Sequence, residues 1–182
     1  MGINVKPFIA LFRGLNVGGH NQLPMQELTM TLENLGLQNI KTYIQSGNVV
    51  FDSEETSKPV LKEKICQVIQ QKYGFSPLVM LLSPDELEKA ITSNPFPEAE
   101  EEPKTLHVYF LESTPQDPDL AHLEAVRRSN ERFSLHDHVF YLHAPDGIGR
   151  SKLAASVEKA LGVPATARNW RSVNKIYSLA KR

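Results

Sequence analysis

The chain has 182 residues, a length that admits one domain or two small ones, since domains commonly run to roughly 100–150 residues. Hydrophobic residues at 41% and charged residues at 23% match ordinary globular composition, which excludes a disordered chain. With 20 basic and 21 acidic residues the formal net charge is −1, so no long-range field announces a nucleic-acid or anionic-membrane binder, and any such partner must be held by a local patch.

Cys66 is the single cysteine, which excludes an intramolecular disulfide and a multi-cysteine zinc site and fits a reducing compartment. The expected location is therefore the cytoplasm. No run approaches the ~18 apolar residues of a membrane-spanning helix, and Arg13 breaks the first apolar stretch before any cleavage-like site. Neither a membrane partner nor a leader is expected. Met1-Gly2 opens as a myristoylation motif does, but Lys6 stands where Ser or Thr is required.

In chain order, Pro7–Phe12 reads as a buried strand that ends in the Gly, Asn and His cluster 14–21. Pro24 suits a first helical turn, and Met25, Leu28, Leu32 and Leu35 repeat at helical spacing until Gly36 stops them. Ile40–Gln45 and Val49–Phe51 flank the turn Ser46-Gly47-Asn48 and predict a hairpin. Leu61, Ile65, Val68 and Ile69 form a second helical stripe ending at Tyr73-Gly74, and Leu78–Leu82 reads as a fourth strand. Strand, helix, strand, strand, helix, strand is the order of a ferredoxin-like α/β plait, with helices on one face of an antiparallel sheet.

The second half repeats that order. Ser83 with Glu86 three residues on resembles a capping box opening a short helix to about Ile91, and Asn94–Pro103 is rich in proline and glutamate and reads as a solvated connection. Thr105–Leu111 reads as a strand and Leu120–Arg128 as a helix, followed by a hairpin of Phe133–Leu135 and Val139–Leu142. Leu153–Leu161 is a helix, Thr166–Arg168 a short closing strand, and Asn169 a cap for a final helix carrying Val173, Ile176, Tyr177 and Leu179. The expectation is α+β: two tandem plaits, residues 1–83 and 104–182, joined by a helix and acidic linker at 84–103, with a C-terminal helix in the second.

Three segments have the composition of a ligand site. Arg13-Gly14-Leu15-Asn16-Val17-Gly18-Gly19 leaves a strand for a helix, where glycines allow close backbone approach, although the dinucleotide spacing is not met and a structural turn is the favoured reading. Gly147-Ile148-Gly149-Arg150-Ser151-Lys152 puts two glycines, two cations and a hydroxyl at a helix N-terminus, where cations disfavour the helix unless an anion joins them. It lacks the phosphate-loop spacing of nucleotide hydrolases, and a simple helix entry is the competing reading. Arg168-Asn169-Trp170-Arg171 suits stacking on a base or sugar and gripping phosphate, but an indole anchoring the last helix in the core, with Arg168 and Arg171 in solvent, is the commoner arrangement and the favoured reading. Gln45-Ser46-Gly47-Asn48 is first of all a turn. His136, His138 and His143 lack an acidic or cysteine partner at ligand spacing, so no metal is expected, and Cys66 reads as a buried, inert thiol.

Leu11–Gly19, Thr42–Phe51, Gly147–Lys152 and Thr166–Trp170, taken together and in this order, closely resemble the bacterial family catalogued as domain of unknown function 1697. The resemblance implies a pair of plait subdomains and no reaction, catalytic residue or cofactor. Ser172 is a small departure, since similar sequences often carry threonine after the Asn-Trp pair. The functional expectation is an anionic ligand, a nucleotide or nucleic-acid phosphate, held between the halves by Arg13, Asn16, Gly18, Ser46, Asn48, Gly149, Arg150, Ser151, Lys152, Arg168, Asn169 and Trp170. The alternatives are a small phosphoryl-group hydrolase or transferase, or a protein interaction module recognisable by an exposed apolar face or edge.

Overall fold

The computed structural model describes residues 4–181; the Met1-Gly2 start lies outside them. The first plait is built on β1 (Lys6–Arg13), whose residues Ile9–Phe12 are all buried. Burial on both faces explains why this strand reads as a continuous apolar run rather than an alternating one. β1 lies between β3 (Asn48–Ser53) and β4 (Leu78–Leu82), and β2 (Gln38–Tyr43) completes an antiparallel sheet of order β2-β3-β1-β4. α1 (Met25–Asn34) and α2 (Lys58–Tyr73) bury Leu28, Leu32, Leu61, Ile65 and Ile69 in one cluster with Phe8, Ala10, Phe12, Val49, Phe51 and Val79. Gly74 ends α2 in the left-handed region at φ +81°, where a residue without Cβ is needed.

The hairpin differs from its expected bounds at both ends. β2 stops at Tyr43, two residues early, because Ile44 turns into the left-handed region at φ +51°. It starts earlier because an irregularity between Gln38 and Lys41, with Asn39 at φ +51°, re-enters the ladder with β3.

The second plait follows α3 (Pro84–Thr92) and a 3-10 turn at Pro97–Glu101. Its elements are β5 (Leu106–Leu111), α4 (Leu120–Val126), β6 (Arg132–His136), β7 (Val139–His143), α5 (Lys152–Leu161) and β8 (Ala165–Asn169). The order β6-β7-β5-β8 is the same permutation as in the first sheet. The closing strand, short in the sequence, is a full five residues paired to β5 along its length. α4 ends two residues early because Arg127 is extended (ψ 150°). The connection at 94–103 is not merely solvated: Phe96 and Ala99 are buried, and the Phe96 ring lies 4.6 Å from the Arg132 guanidinium. α6 (Trp170–Ala180) closes the described chain. By internal packing, the described residues 4–88 and 175–181 form one unit, and Lys89–Asn174 the other.

In each sheet the face away from its helical cluster is buried too, through Ile9, Leu11, Val50 and Met80 in the first and Val108, Phe110 and Tyr141 in the second. Tyr141 is fixed there, donating its hydroxyl to the Ala90 carbonyl at 2.6 Å, and burial pushes its pKa up to about 12. Among the described residues no helix is long and apolar enough to cross a membrane.

Candidate functional site

In the first plait, β1 ends and β3 begins at the same edge, with Leu11 opposite Asn48, so the loop after Arg13 and the tip of the hairpin come together. Asn16 joins them. At φ +55° its side-chain amide donates to the carbonyls of Leu23 (2.9 Å) and Gln45 (2.8 Å), while its Oδ1 accepts the Leu23 N–H at 2.7 Å. Asn48 donates to the Tyr43 carbonyl (2.9 Å) and to Ser46 Oγ (3.2 Å), and the Phe12 N–H donates to the Gly47 carbonyl at 2.8 Å. Both asparagines thus spend amide groups on the backbone, which gives them a structural use. Around this knot Arg13 and Gly18 are exposed, as are Val17 (62%) and Ile44 (51%). A β-branched residue at positive φ is an outlier that the surrounding hydrogen bonds must hold.

In the second plait, the last residues of β7 and β8 lie at the same edge of the sheet, since His143 pairs with Leu106 and Asn169 with His107. The loop 144–151 and the start of α6 therefore leave from one end. Ser151 caps α5 by accepting the Ala154 N–H at 3.0 Å, and Asn169 caps α6 by accepting the Ser172 N–H at 2.9 Å. Gly149, Arg150 and Lys152 are exposed. Arg168 is half-buried and donates to Thr166 Oγ1 and the Ala167 carbonyl, each at 2.8 Å; burial pushes its pKa down to about 10. Trp170 is 5% exposed, and its backbone N–H donates to the Pro103 carbonyl at 3.1 Å.

Four features of this plait carry no signal in the sequence. Arg128 donates from Nη2 to the Arg150 carbonyl at 2.9 Å, and Asn130 from Nδ2 to Asp146 Oδ2 at 3.0 Å, so the turn after α4 is stitched to the loop before α5. A third cation thereby reaches the positive end of α5. The short polar run Arg128-Ser129-Asn130-Glu131 announces a turn, but nothing in it announces a partner. Glu131 is buried. His107, opposite Asn169, is buried with no partner for Nε2; burial pulls its pKa below the usual imidazole value more than a hydrogen bond to the Lys104 backbone raises it.

His143 and His136 are held by different neighbours. Arg132, ion-paired to Glu98, donates to His143 Nδ1 at 3.0 Å; burial and that guanidinium lower the His143 pKa, with Glu98 and Glu102 opposing. On β6, His136 Nε2 lies 2.8 Å from Ser134 Oγ, and the His136 ring meets the Tyr141 ring edge-on at a centroid distance of 5.5 Å, a packing contact rather than the hydrogen-bonded orienting group of a nucleophile–base pair. Among the described residues no group of three or more His, Cys, Asp or Glu is placed to hold a metal ion. Cys66 is half-buried, its thiol 3.6 Å from the Pro77 carbonyl, and burial raises its pKa.

The class defined by this architecture is a tandem pair of ferredoxin-like plaits closed by a C-terminal helix. The model of the family described as "Protein of unknown function (DUF1697)" matches residues 5–141, and the chain belongs to that family. The match ends before Gly147–Lys152 and Thr166–Trp170. A solved structure described as the conserved bacterial protein SP0830 from Streptococcus pneumoniae is 28% identical, with a TM-score of 0.74, covering 98% of this chain and 100% of its own. No curated protein matches the chain.

Proposed function

We propose that the second plait binds a phosphate-bearing small molecule at the N-terminus of α5. The observation that carries the reading is electrostatic: Arg128, Arg150 and Lys152 gather at the positive end of the helix, and among the described residues none is ion-paired. Each cation there costs about 0.3–1 kcal/mol, and an anion reverses the sign. Ser151 takes the Ala154 N–H, leaving the Lys152 and Leu153 N–H groups without an intrahelical acceptor and able to meet phosphate oxygens. Burial of both faces of each sheet argues against bases stacking on a sheet, so a small ligand is favoured over nucleic acid. Cys66 as a lone thiol supports a cytoplasmic setting.

Titration calorimetry with inorganic phosphate, a nucleoside monophosphate and a short single-stranded oligonucleotide tests the reading. Saturable binding of the first two is expected, with a rise in melting temperature worth about 2.7 kcal/mol at a hundredfold excess over Kd. Lys152→Ala should weaken it. No heat and no thermal shift with any probe at ~10 mM would remove the site, since saturation and stabilisation are linked. Binding of the oligonucleotide alone would transfer the reading to nucleic acid. A second reading, an interaction module, is favoured by exposed Val17 and Ile44; concentration-dependent sedimentation that Ile44→Ser abolishes is its expected mark.

A further inference from the structure

The turn that carries Arg128 is built around a carboxylate. Glu131 is 1% exposed, its Oε2 accepts the Arg128 N–H at 2.8 Å, and its own N–H donates to the Arg128 carbonyl at 3.0 Å. Arg127 Nη1 donates to the Glu131 carbonyl at 2.9 Å, while its Nε is held by Glu124 at 2.6 Å. Glu131 Oε1 is buried with no hydrogen-bond partner. Burying a carboxylate is costly, and leaving one of its oxygens unmatched adds to the cost. The backbone bonds of the turn make no use of the side chain at 131; only the bond from the Arg128 N–H does, and it needs an acceptor oxygen at that place. Arg128 is the residue that crosses to the Arg150 carbonyl, one position before the cap of α5.

We infer that Glu131 is a positioning residue for the phosphate site: from beneath the turn it fixes the Arg128 backbone, and so sets the guanidinium at the mouth of α5. The inference rests on the phosphate reading for its function, but the linkage from Glu131 through Arg128 to the 147–151 loop stands apart from it. Glu131 touches no ligand. Its influence passes through the N–H of Arg128, so an uncharged acceptor of the same shape should serve.

The experiment compares Glu131→Gln, Glu131→Leu, Arg128→Ala and the Leu/Ala double variant in the full chain. Phosphate affinity is read by calorimetry, and amide exchange of residues 147–151 is followed without ligand. Glu131→Leu and Arg128→Ala should each raise Kd about tenfold, which is 1.4 kcal/mol, with the double variant no weaker than either. Glu131→Gln should bind as the parent does, a rescue that loss of packing alone does not give. Wild-type affinity in Glu131→Leu, or additive losses in the double variant, overturns the inference. Should Glu131→Leu not fold, Glu131→Asp, which keeps the charge but retracts it by a methylene, should weaken binding; parental affinity there also overturns the inference. If the parent binds no phosphate, the ligand reading fails, and exchange decides the linkage. Faster exchange at 147–151 in both single variants sustains it, and unchanged exchange ends it.

Discussion

The helix that follows the hairpin begins differently in the two plaits. Both α2 and α5 start after a serine, yet Ser57 makes no side-chain capping bond whereas Ser151 does. At α2 the chain supplies its own anions: Glu55 accepts the Ser57 N–H at 2.8 Å, and Lys58 is ion-paired to Glu86. The Ser57 N–H is the leading cause that holds the Glu55 pKa below its ordinary value. For Glu86 burial opposes the same direction, and the bonds from Lys58 and the Ser83 N–H prevail. At α5 the cap is filled by Ser151, and Arg128, Arg150 and Lys152 stand at the helix end with no ion pair among the described residues. Equivalent positions in one repeated topology thus meet the helix dipole in opposite ways, one from within and one by leaving a place for an external anion.

The largest expected effect concerns how each plait shapes its loops. Gly47 sits at φ +82°, and a Cβ there would fall 2.7 Å from Phe12 Cβ, whereas a Cβ on Gly149 meets nothing within 4 Å. Gly47→Ala should cost about 2–4 kcal/mol, combining the left-handed penalty with crowding. Gly149→Ala should stay within about 0.5 kcal/mol. Urea denaturation reads both. Equal losses would mean that the hairpin tip is no more constrained than the loop before α5.

Acid should separate the plaits next. His107 and His143 in the second plait have pKa values below the ordinary 6.5, so the unfolded state binds more protons as pH falls beneath 6.5. Their contribution is complete above that pH and is lost on descending towards the folded values. In the first plait Glu55 and Glu86 have pKa values below 4.5, so their contribution is retained until pH falls beneath about 4.5 and is then lost. Hydrogen exchange across this range should therefore show β5 to β8 loosening first. Simultaneous loosening near pH 4 would assign the acid response to carboxylates alone.

A smaller difference lies in the caps. Ser151→Ala should cost about 1 kcal/mol, because the Ala154 N–H loses its acceptor. Ser57→Ala should cost only a few tenths of a kcal/mol, since no capping bond is lost. Paired melting curves check this, and equal costs would show that Ser57 caps α2 in solution.

The elements were legible because each rests on a short-range rule: apolar runs for β1 and β4, helical spacing for α1 and α2, and glycine stops at Gly36 and Gly74. The order of elements then sufficed for the plait. What escaped depends on tertiary pairing. No local rule puts Ile44 at positive φ; Asn48 holds that turn from within the hairpin, and Asn16 holds it from 29 residues away in the chain. Phe96 lies among prolines and glutamates whose composition says solvent, yet an aromatic within an acidic stretch was itself a signal of docking. At the candidate site, the Gly149–Lys152 segment and the caps Ser151 and Asn169 were readable from helix-end chemistry. Arg128 and Glu131 were not, because the bond from Arg128 to Arg150 spans 22 residues and ends on a backbone carbonyl that carries no residue-specific signature.

The smallest effects bear most directly on function, because they ask whether the cations at α5 are tolerated for a reason. Without ligand, Lys152→Ala should stabilise the protein by about 0.3–1 kcal/mol, since it removes a positive charge from the positive end of the helix. Lys58→Ala should do the reverse at α2, losing up to about 1 kcal/mol, because there the lysine is paired with a partly exposed Glu86. Raised salt should shrink both changes by screening. Saturating phosphate should invert the first and leave the second alone: Lys152→Ala then becomes the less stable protein, for the anion now joins the helix end and the lysine contributes to holding it. Melting temperatures of parent and variants with and without phosphate give the result directly. If Lys152→Ala destabilises in both conditions, the lysine serves the fold, and the contrast between the two helix ends carries no functional meaning.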